Sequence, residues 1–596
     1  MRSRRAVLVL LTCFAVSLSA RPPEDAKKPD PTKGPLEEVP LFRLGDPRTG
    51  KTLDLKAAKD AKAFVVVFLG TQCPINNEYI PELNRIDKEY APRGIRVVGV
   101  NANKQDAPAA VAEHAKKFAA RFPIVKDPRN EVADIFGAKR TPEAFLLSPT
   151  GKVLYRGRID DQFGTEHRRP GKPTRRDLVA ALDEHLAGKP ISTPRTEAAG
   201  CVIGRAKKPS ADAKVTYAKH VSRILQKNCV DCHRAGQIGP MSLLNYDDAS
   251  AWAETIREVI DDGRMPPWHA DPRHGQWRNE RLLSKDDKAT IRAWVEAGTP
   301  RGDDVDLPSP RVFPKDWQIG KPDAVFTMPR DYDVPAEMPK DGIPYQYFSV
   351  KSGFAEDRWI ERAEVRVGAG EVVHHVIVFI VPAGQYLRMD APGSALVGSA
   401  PGEMPMVLEP GYAKKLPAGA RLIFQMHYTP NGRAQKDRTS VGLVFAKTPP
   451  KHHVLTKPIH NSWFFTRVTS IPAGAENFPI VANAKFAHDI QILGFLPHMH
   501  LRGKDFLYEA VAPDGKKETL LSVPKFNFHW QSVYRPVKPV LMAKGTTLRC
   551  LAHFDNSAKN PQNPDPKADV TWGDQTWEEM MIGWIDYVEM REEKSK

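Results

Sequence analysis

The stretch Cys229-Val230-Asp231-Cys232-His233 divides this chain of 596 residues and decides how the rest is read. Two cysteines three positions apart can each bond a haem vinyl group, and a histidine directly after the second is placed to ligate the iron as the proximal axial ligand. The other use of such a pair is half of a tetrahedral zinc shell, which needs a second pair of ligands nearby. The remaining cysteines, Cys13, Cys73, Cys201 and Cys550, are scattered and supply none. The pentapeptide therefore predicts covalent haem c, held by Cys229, Cys232 and His233.

Outward from this motif, residues 217–226 have the periodicity of a helix that delivers Cys229, and residues 288–297 form a second amphipathic helix ending at Gly298. A small all-α domain over residues 214–304 follows from that plan. With the intervening Arg264-Met265-Pro266-Pro267-Trp268, the segment resembles the c-type cytochromes. The resemblance implies a distal methionine in a proline-bearing loop, matched here by Met265. A thioether ligand raises the potential and suits an electron carrier. Met241, His269 and His274 are rivals for that position, and core packing is the other use of Met265.

Upstream, residues 191–213 read as a connector. Before it, residues 64–69 are a buried strand, 79–90 a helix, 95–100 a second strand and 108–122 a second helix, a βαβ pattern that predicts a parallel sheet. Residues 143–147 and 152–159 read as a hairpin, and 174–186 as a closing helix. Phe68-Leu69-Gly70-Thr71-Gln72-Cys73-Pro74-Ile75-Asn76, with Thr141-Pro142 entering a later strand, resembles the thioredoxin-like redoxins over residues 38–190. The resemblance implies an α/β domain with Cys73 at a helix N-terminus beside a cis Pro142. A helix N-terminus stabilises thiolate and makes the sulfur nucleophilic. Asn76 stands where the second cysteine of the usual pair would be, so no dithiol cycle runs within the motif. Cys201, in the connector, is a candidate second sulfur, and a redoxin fold kept for docking with an inert Cys73 is the alternative.

Downstream, residues 305–321 are a Pro- and Asp-rich linker, and residues 322–590 alternate apolar and polar between Pro, Gly and Asn breaks. That is the pattern of antiparallel, jelly-roll-like β-sandwiches, and the length suits two, over 322–458 and 459–590. Three histidine clusters lie here: His374-His375 in an apolar strand, His427 in Phe424-Gln425-Met426-His427-Tyr428, and His498-Met499-His500. Histidines at i and i+2 of a strand share a face, the spacing a metal needs. Adjacent His374 and His375 would point to opposite faces of a regular strand, so joint ligation requires a bulge or strand end. His452 and His453 read as surface residues, and His529 and His553 as structural or supporting ones.

Together these clusters resemble the copper type II, ascorbate-dependent monooxygenases, the family of peptidylglycine α-hydroxylating and dopamine β-monooxygenases, over nearly all of 322–590. The resemblance implies two copper ions: one on His374, His375 and His427, the other on His498, His500 and Met580, with Met581 as the alternative to Met580. A thioether ligand favours Cu(I), the state that meets O₂. The implied reaction is O₂-dependent hydroxylation of a C–H bond at the methionine-bearing site, the three-histidine copper supplying an electron. Gln425 also agrees with the family. The peptide-amidating branch grips a substrate carboxylate with Arg, Asn and Tyr at positions that here are Leu496, Ile582 and Trp584. A carboxylate would lose its bidentate partner there, so the expected small-molecule substrate is neutral or apolar. Only Cys550 lies in this half, so packing replaces the disulfides of the animal enzymes.

At the start of the chain, Arg2 to Arg5, an apolar run over 6–18 and Ser17-Leu18-Ser19-Ala20 read as a signal peptide cleaved near Ala20, followed by a linker over 21–37. No later run is apolar and long enough to predict a transmembrane helix, which places the mature protein in the periplasm or outside the cell. The net charge of +15 is spread among 72 acidic residues without a basic aromatic platform, which excludes a nucleic-acid reader and suits redox-protein partners. The expected function is that of an exported copper monooxygenase, with haem c as electron relay and ascorbate or another external reductant as the source. One alternative is an electron-transfer or copper-handling protein without hydroxylase turnover. The other is a thiol oxidoreductase or peroxidase centred on Cys73.

Overall fold

The computed structural model describes residues 38–164, 173–205, 207–339, 342–400 and 403–590. The expected signal peptide and the 21–37 linker lie outside the described residues. The chain is multidomain, with an α/β domain first and several all-β sheets last.

The α/β domain is built on β3 (Ala63–Phe68), every residue of which is buried. Its neighbours give a seven-stranded sheet in the order β2-β1-β5-β4-β3-β7-β8. The strands are β1 (Arg43–Gly45), β2 (Thr52–Asp54), β4 (Ile95–Asn101), β5 (Ile124–Lys126), β7 (Glu143–Leu147) and β8 (Val153–Gly157). β3, β4 and β5 run parallel, and β7 and β8 form the expected antiparallel hairpin. An unbroken apolar run is what a strand covered on both faces requires. Val65 and Val67 face one core with Leu83 and Ile86 of α1 (Pro74–Tyr90), while Phe64, Val66 and Phe68 face a second with Phe136 and Phe145. The second helix, α2 (Pro108–Lys117), stops short of the expected residue 122 because Ala119 turns to φ 52°. α3 (Glu131–Ile135) and α4 (Asp177–Leu186) complete the domain. Two short strands, β6 (Arg140–Thr141) and β9 (Cys201–Val202), pair with each other outside the main sheet.

The helical unit holds α5 (Ser222–Asn228), α6 (Tyr246–Ala251), α7 (Ala253–Asp261) and α8 (Lys285–Glu296) around Trp252 and the fully buried Trp294. The first expected helix is split: a π turn at Tyr217–Val221 precedes α5. Asn245 caps α6 and Ser284 caps α8, each accepting from a backbone N–H three residues on. The loop after α7 leaves this unit. Trp268 and Trp277 pack on Tyr534 at ring separations of 4.9 and 5.6 Å, inside the core of the last sandwich.

In the β half, β10 (Gln346–Lys351), β11 (Val373–Val381), β12 (Ala395–Ser399) and β13 (Arg421–Tyr428) form one sheet in the order β10-β13-β11-β12. It closes a core containing Val376, Val378, Leu422 and Phe424 against the sheet that includes Arg358–Arg366 and Ser440–Phe445. In the last sandwich, β14 (Asp489–Met499) and β15 (Met581–Met590) lie between Leu455–His460 and Val540–Met542, facing a second four-stranded sheet. The expected boundary at residue 458 falls inside the strand Leu455–His460, which pairs along β15, so the second sandwich begins before it.

Candidate functional site

Cys73 is the N-cap of α1, with Pro74 in the first turn, and it is completely buried. Its Sγ lies 2.9 Å from the carbonyl oxygen of Thr141, and the Thr141–Pro142 bond is cis. Asn76 is buried and grips Gly70 from both sides: Nδ2 donates to Gly70 O at 2.9 Å, and Gly70 N donates to Oδ1 at 3.3 Å. Asn76 therefore holds the loop in front of the thiol and offers no redox chemistry. Thr71 is tied to Asp106 through both its amide and its hydroxyl.

The structure brings Cys201 to Cys73. β9 runs antiparallel to β6 with Cys201 opposite Thr141, the residue whose carbonyl oxygen the Cys73 thiol meets, and this pairing sets the two cysteines together. Burial pushes the Cys73 thiol up, but the Cys201 thiol and the amides of Asn76 and Cys201 pull it down further, to about 7. Cys201 moves the other way: it is held well above the usual thiol range by its bond to Cys73 and by burial, against the pull of Arg140 and Arg264. The two thiols are thereby set apart, Cys73 the easier and Cys201 the harder to ionise.

Fold and thiol together define the class: the N-terminal unit is a thioredoxin-like redoxin domain with its cysteine at the head of the first long helix. Residues 35–156 match the AhpC/TSA family model. The same region is similar to the thiol-disulfide oxidoreductase ResA of Bacillus thuringiensis subsp. konkukian, 27% identical over 150 residues, which is 25% of this chain and 83% of the relative. Against ResA of Bacillus subtilis it is 28% identical over 151 residues, covering 25% and 80%. Among solved structures, an uncharacterized conserved protein from Geobacillus kaustophilus is 31% identical, with 30% of this chain and 94% of that chain covered and a TM-score of 0.27.

The Cys-x-x-Cys-His motif follows α5 as a compact turn: Cys232 N and His233 N both donate to Cys229 O, at 3.2 and 3.0 Å. Burial pushes the Cys229 thiol up to about 12 and raises that of Cys232. His233 Nδ1 sits 3.2 Å from Met241 O, which assigns it the proton and leaves Nε2 open, the arrangement of an axial haem ligand. The donor set thus fits haem c. Met241 uses its carbonyl on His233 and packs its side chain in the helical core. Met265 is half-buried just beyond α7, its amide bonded to Val259 O at 2.9 Å. The rival His269 lies in the loop that packs on the last sandwich. His274 lies in that loop too, its amide bonded to Asp271 O.

In the β half, His375 on β11 is directly opposite His427 on β13, and the register shifts between Val373 and His375. That bulge lets the adjacent His374 and His375 turn to one point. One nitrogen from each of His374, His375 and His427 lies within 4.8 Å of the others, and His374 Nδ1 is 3.2 Å from His375 Nδ1. His374 Nε2 and His427 Nδ1 are buried without a hydrogen-bond partner. Burial, reinforced by the neighbouring histidines, holds all three well below the usual imidazole range, so they are neutral donors. Three neutral imidazoles with orphaned buried nitrogens fit a copper or other borderline metal ion. Gln425, on the same face as His427, donates to Tyr347 Oη at 2.8 Å.

His498 lies at the end of β14 and His500 directly follows the strand, their rings perpendicular and 5.3 Å apart. His498 Nδ1 is 2.6 Å from Gln531 Oε1, and His500 Nδ1 is 3.2 Å from Glu578 O, so both Nδ1 atoms have an acceptor within reach. Met580 and Met581 are both buried in the hydrophobic core, Met580 directly before β15 and Met581 on it, opposite Met499. Sequence reasoning missed Glu579. Its buried carboxyl accepts from His500 N at 2.8 Å, Arg502 N at 2.6 Å and the Met580 amide, joining the segment that carries His498 and His500 to the one that carries Met580. Glu579 stands beside Glu578 and Arg502 runs into Gly503-Lys504-Asp505, so neither is marked out locally, and Gln531, distant in sequence, leaves no signal either.

The two histidine groups share a wall: His375 and His498 rings are 6.5 Å apart, and Phe528 stacks on His374 at 4.8 Å and meets His500 at 5.8 Å. A cavity between the sandwiches runs along both groups, lined by Ile377, Leu496 and Trp584 as well as Glu403. Leu496 and Trp584 are direct cross-strand partners there. His553 pairs with Asp505 at 2.7 Å, His529 packs on Phe528, and His452 and His453 pack on Tyr412 and Trp359.

Proposed function

We propose that this chain is an exported oxidoreductase whose thioredoxin-like unit exchanges thiol for disulfide at Cys73. The carrying observation is a buried thiol at a helix N-terminus, drawn down to about 7 and in contact with a second thiol. Similarity to thiol-disulfide oxidoreductases over the same residues supports this reading, and the basic and apolar leader supports export. The test is reduction of a peptide disulfide by the full chain with and without Cys73→Ser, and a peroxide assay beside it. Unchanged disulfide turnover in the variant would overturn the reading, and turnover of peroxide alone would convert it to a peroxidase.

The convergence of His374, His375 and His427 favours a second reading for the β half, a copper type II monooxygenase. In this reading those residues hold one copper and His498, His500 and Met580 the other; a small, neutral or apolar substrate occupies the cavity along Leu496 and Trp584. Copper would supply O₂ chemistry at a C–H bond. Haem c on Cys229, Cys232 and His233, with Met265 as distal ligand, would relay electrons from a redox-protein partner, ascorbate or another reductant. The chain's own part is orientation: Gln531 and Glu578 O fix the two ring tautomers, and Phe528 packs against both His374 and His500. Copper analysis of the full chain, with His427→Ala and His498→Ala, tests it. Two copper ions falling to one in each variant is the expected result, and a chain that binds none sinks it. Copper binding without reductant-dependent O₂ uptake would select an electron-transfer or copper-handling role.

A further inference from the structure

The redoxin cysteine is covered by the chain's own connector. Residues 200–204 lie along the loop that carries the cis proline: Ile203 N donates to Lys139 O at 3.0 Å, Lys104 N to Gly204 O at 2.9 Å, and Gly204 N to Asn103 Oδ1 at 3.0 Å. Ile203 is completely buried. A Cβ at Gly200, whose φ is +151°, would lie 2.1 Å from Thr141 O, so the strand seats this closely only with glycine before the cysteine. Arg140 ties the strand to the helical unit by donating to Gly200 O at 2.9 Å and pairing with Glu258 of α7 at 3.0 Å. The result is an asymmetric pair: Cys73 is wholly buried, whereas Cys201 is partly open to solvent.

We infer that Cys73 and Cys201 form the redox couple of this protein and that Cys201, outside the redoxin motif, is the sulfur an external dithiol meets. The inference rests on the thiol–disulfide reading above. In the oxidised pair, one thiolate of a dithiol attacks Sγ of Cys201. The Cys201–Cys73 bond breaks and its electron pair leaves on Cys73, the sulfur that Asn76 N–H and the head of α1 stabilise as thiolate. A sulfur of lower pKa leaves faster. The second thiol of the same molecule then attacks its own mixed-disulfide sulfur, closing the dithiol's disulfide and releasing Cys201. Two electrons have passed to the pair; of the two protons lost by the dithiol, one ends on Cys201 and one in solvent. Reduction of a partner disulfide is the reverse sequence. The Asn76 side chain, locked on Gly70, takes no part.

The test uses the full chain, oxidised with diamide, then exposed to glutathione, quenched in acid and mapped by mass spectrometry of unreduced peptides. A Cys73–Cys201 cross-link before glutathione, and a glutathione adduct on Cys201 with Cys73 free afterwards, is the expected result. Absence of the cross-link, or an adduct on Cys73, overturns the inference. In the peptide-disulfide assay, Cys201→Ser is expected to lose turnover as Cys73→Ser does. If Cys73→Ser abolishes turnover and Cys201→Ser leaves it whole, the thiol reading stands and this inference falls; if neither variant loses turnover, both fall.

Discussion

At the scale of single residues, the two sulfurs give opposite pH signatures. Cys73 titrates lower in the folded chain than a free thiol at about 8.5, so the stability it contributes is full above that value and is lost as pH falls through about 7. Cys201 titrates higher than a free thiol, so its contribution is present below about 8.5 and is lost as pH rises beyond it. Chemical denaturation of the reduced protein is therefore expected to show maximal stability of the redoxin unit near pH 8, and Cys73→Ser is expected to remove the loss on the acid side. A profile unchanged by the substitution would contradict the lowered titration of Cys73. Asn76 is a second test at this scale. Asn76→Ala leaves a buried amide and carbonyl of Gly70 unpaired and is expected to cost about 2–4 kcal/mol by urea denaturation.

At the scale of elements, the placement of the histidines and of Met580 in the β half depends on two local departures from regular structure. The first is the bulge before His375, without which neighbouring histidines would face opposite sides of β11. The second is the frame under His500 and Met580. Arg502, almost completely buried, donates to Asn556 Oδ1 at 2.7 Å and to Trp577 O at 2.8 Å, while Glu579 accepts the amides at both ends of the frame. Glu579→Ala is expected to destabilise the last sandwich by about 3–5 kcal/mol, because it leaves the buried amides of His500, Arg502 and Met580 without their acceptor. Glu579→Gln, which keeps the shape and one acceptor, is expected to cost less. Equal denaturation midpoints for wild type and Glu579→Ala would show that the frame carries no weight.

At the scale of the whole molecule, the helical unit is fastened at both ends. Arg140 and Glu258 join it to the redoxin domain, and Trp268 and Trp277 join it to the last sandwich. Arg278 N donates to Arg535 O at 2.8 Å and Asn279 Nδ2 to Val533 O at 2.6 Å, so backbone pairing reinforces the aromatic contact. Trp277→Ala is expected to cost about 3–5 kcal/mol and to open the loop after α7 to limited proteolysis. A cleavage pattern identical to wild type would mean that Trp277 does not hold the loop. Among the described residues no helix is long and apolar enough to cross a membrane.

Local chemistry and periodicity were enough to read the order of the parts. An unbroken apolar run marks β3 as a doubly covered strand, Cys73-Pro74 marks the head of α1, and alternation marks the β half. These are short-range properties, because side-chain period and cap chemistry act within a few residues. What the tertiary structure decided is which distant groups meet. Cys201 reaches Cys73 only because β9 adds to β6, His374 joins His427 only through a bulge and a neighbouring strand, and the tryptophans beside Met265 serve a sandwich whose strands lie far along the chain. Such contacts follow from strand pairing and core packing, where the free energy is that of area buried between segments remote in sequence, and no local pattern in the chain encodes it.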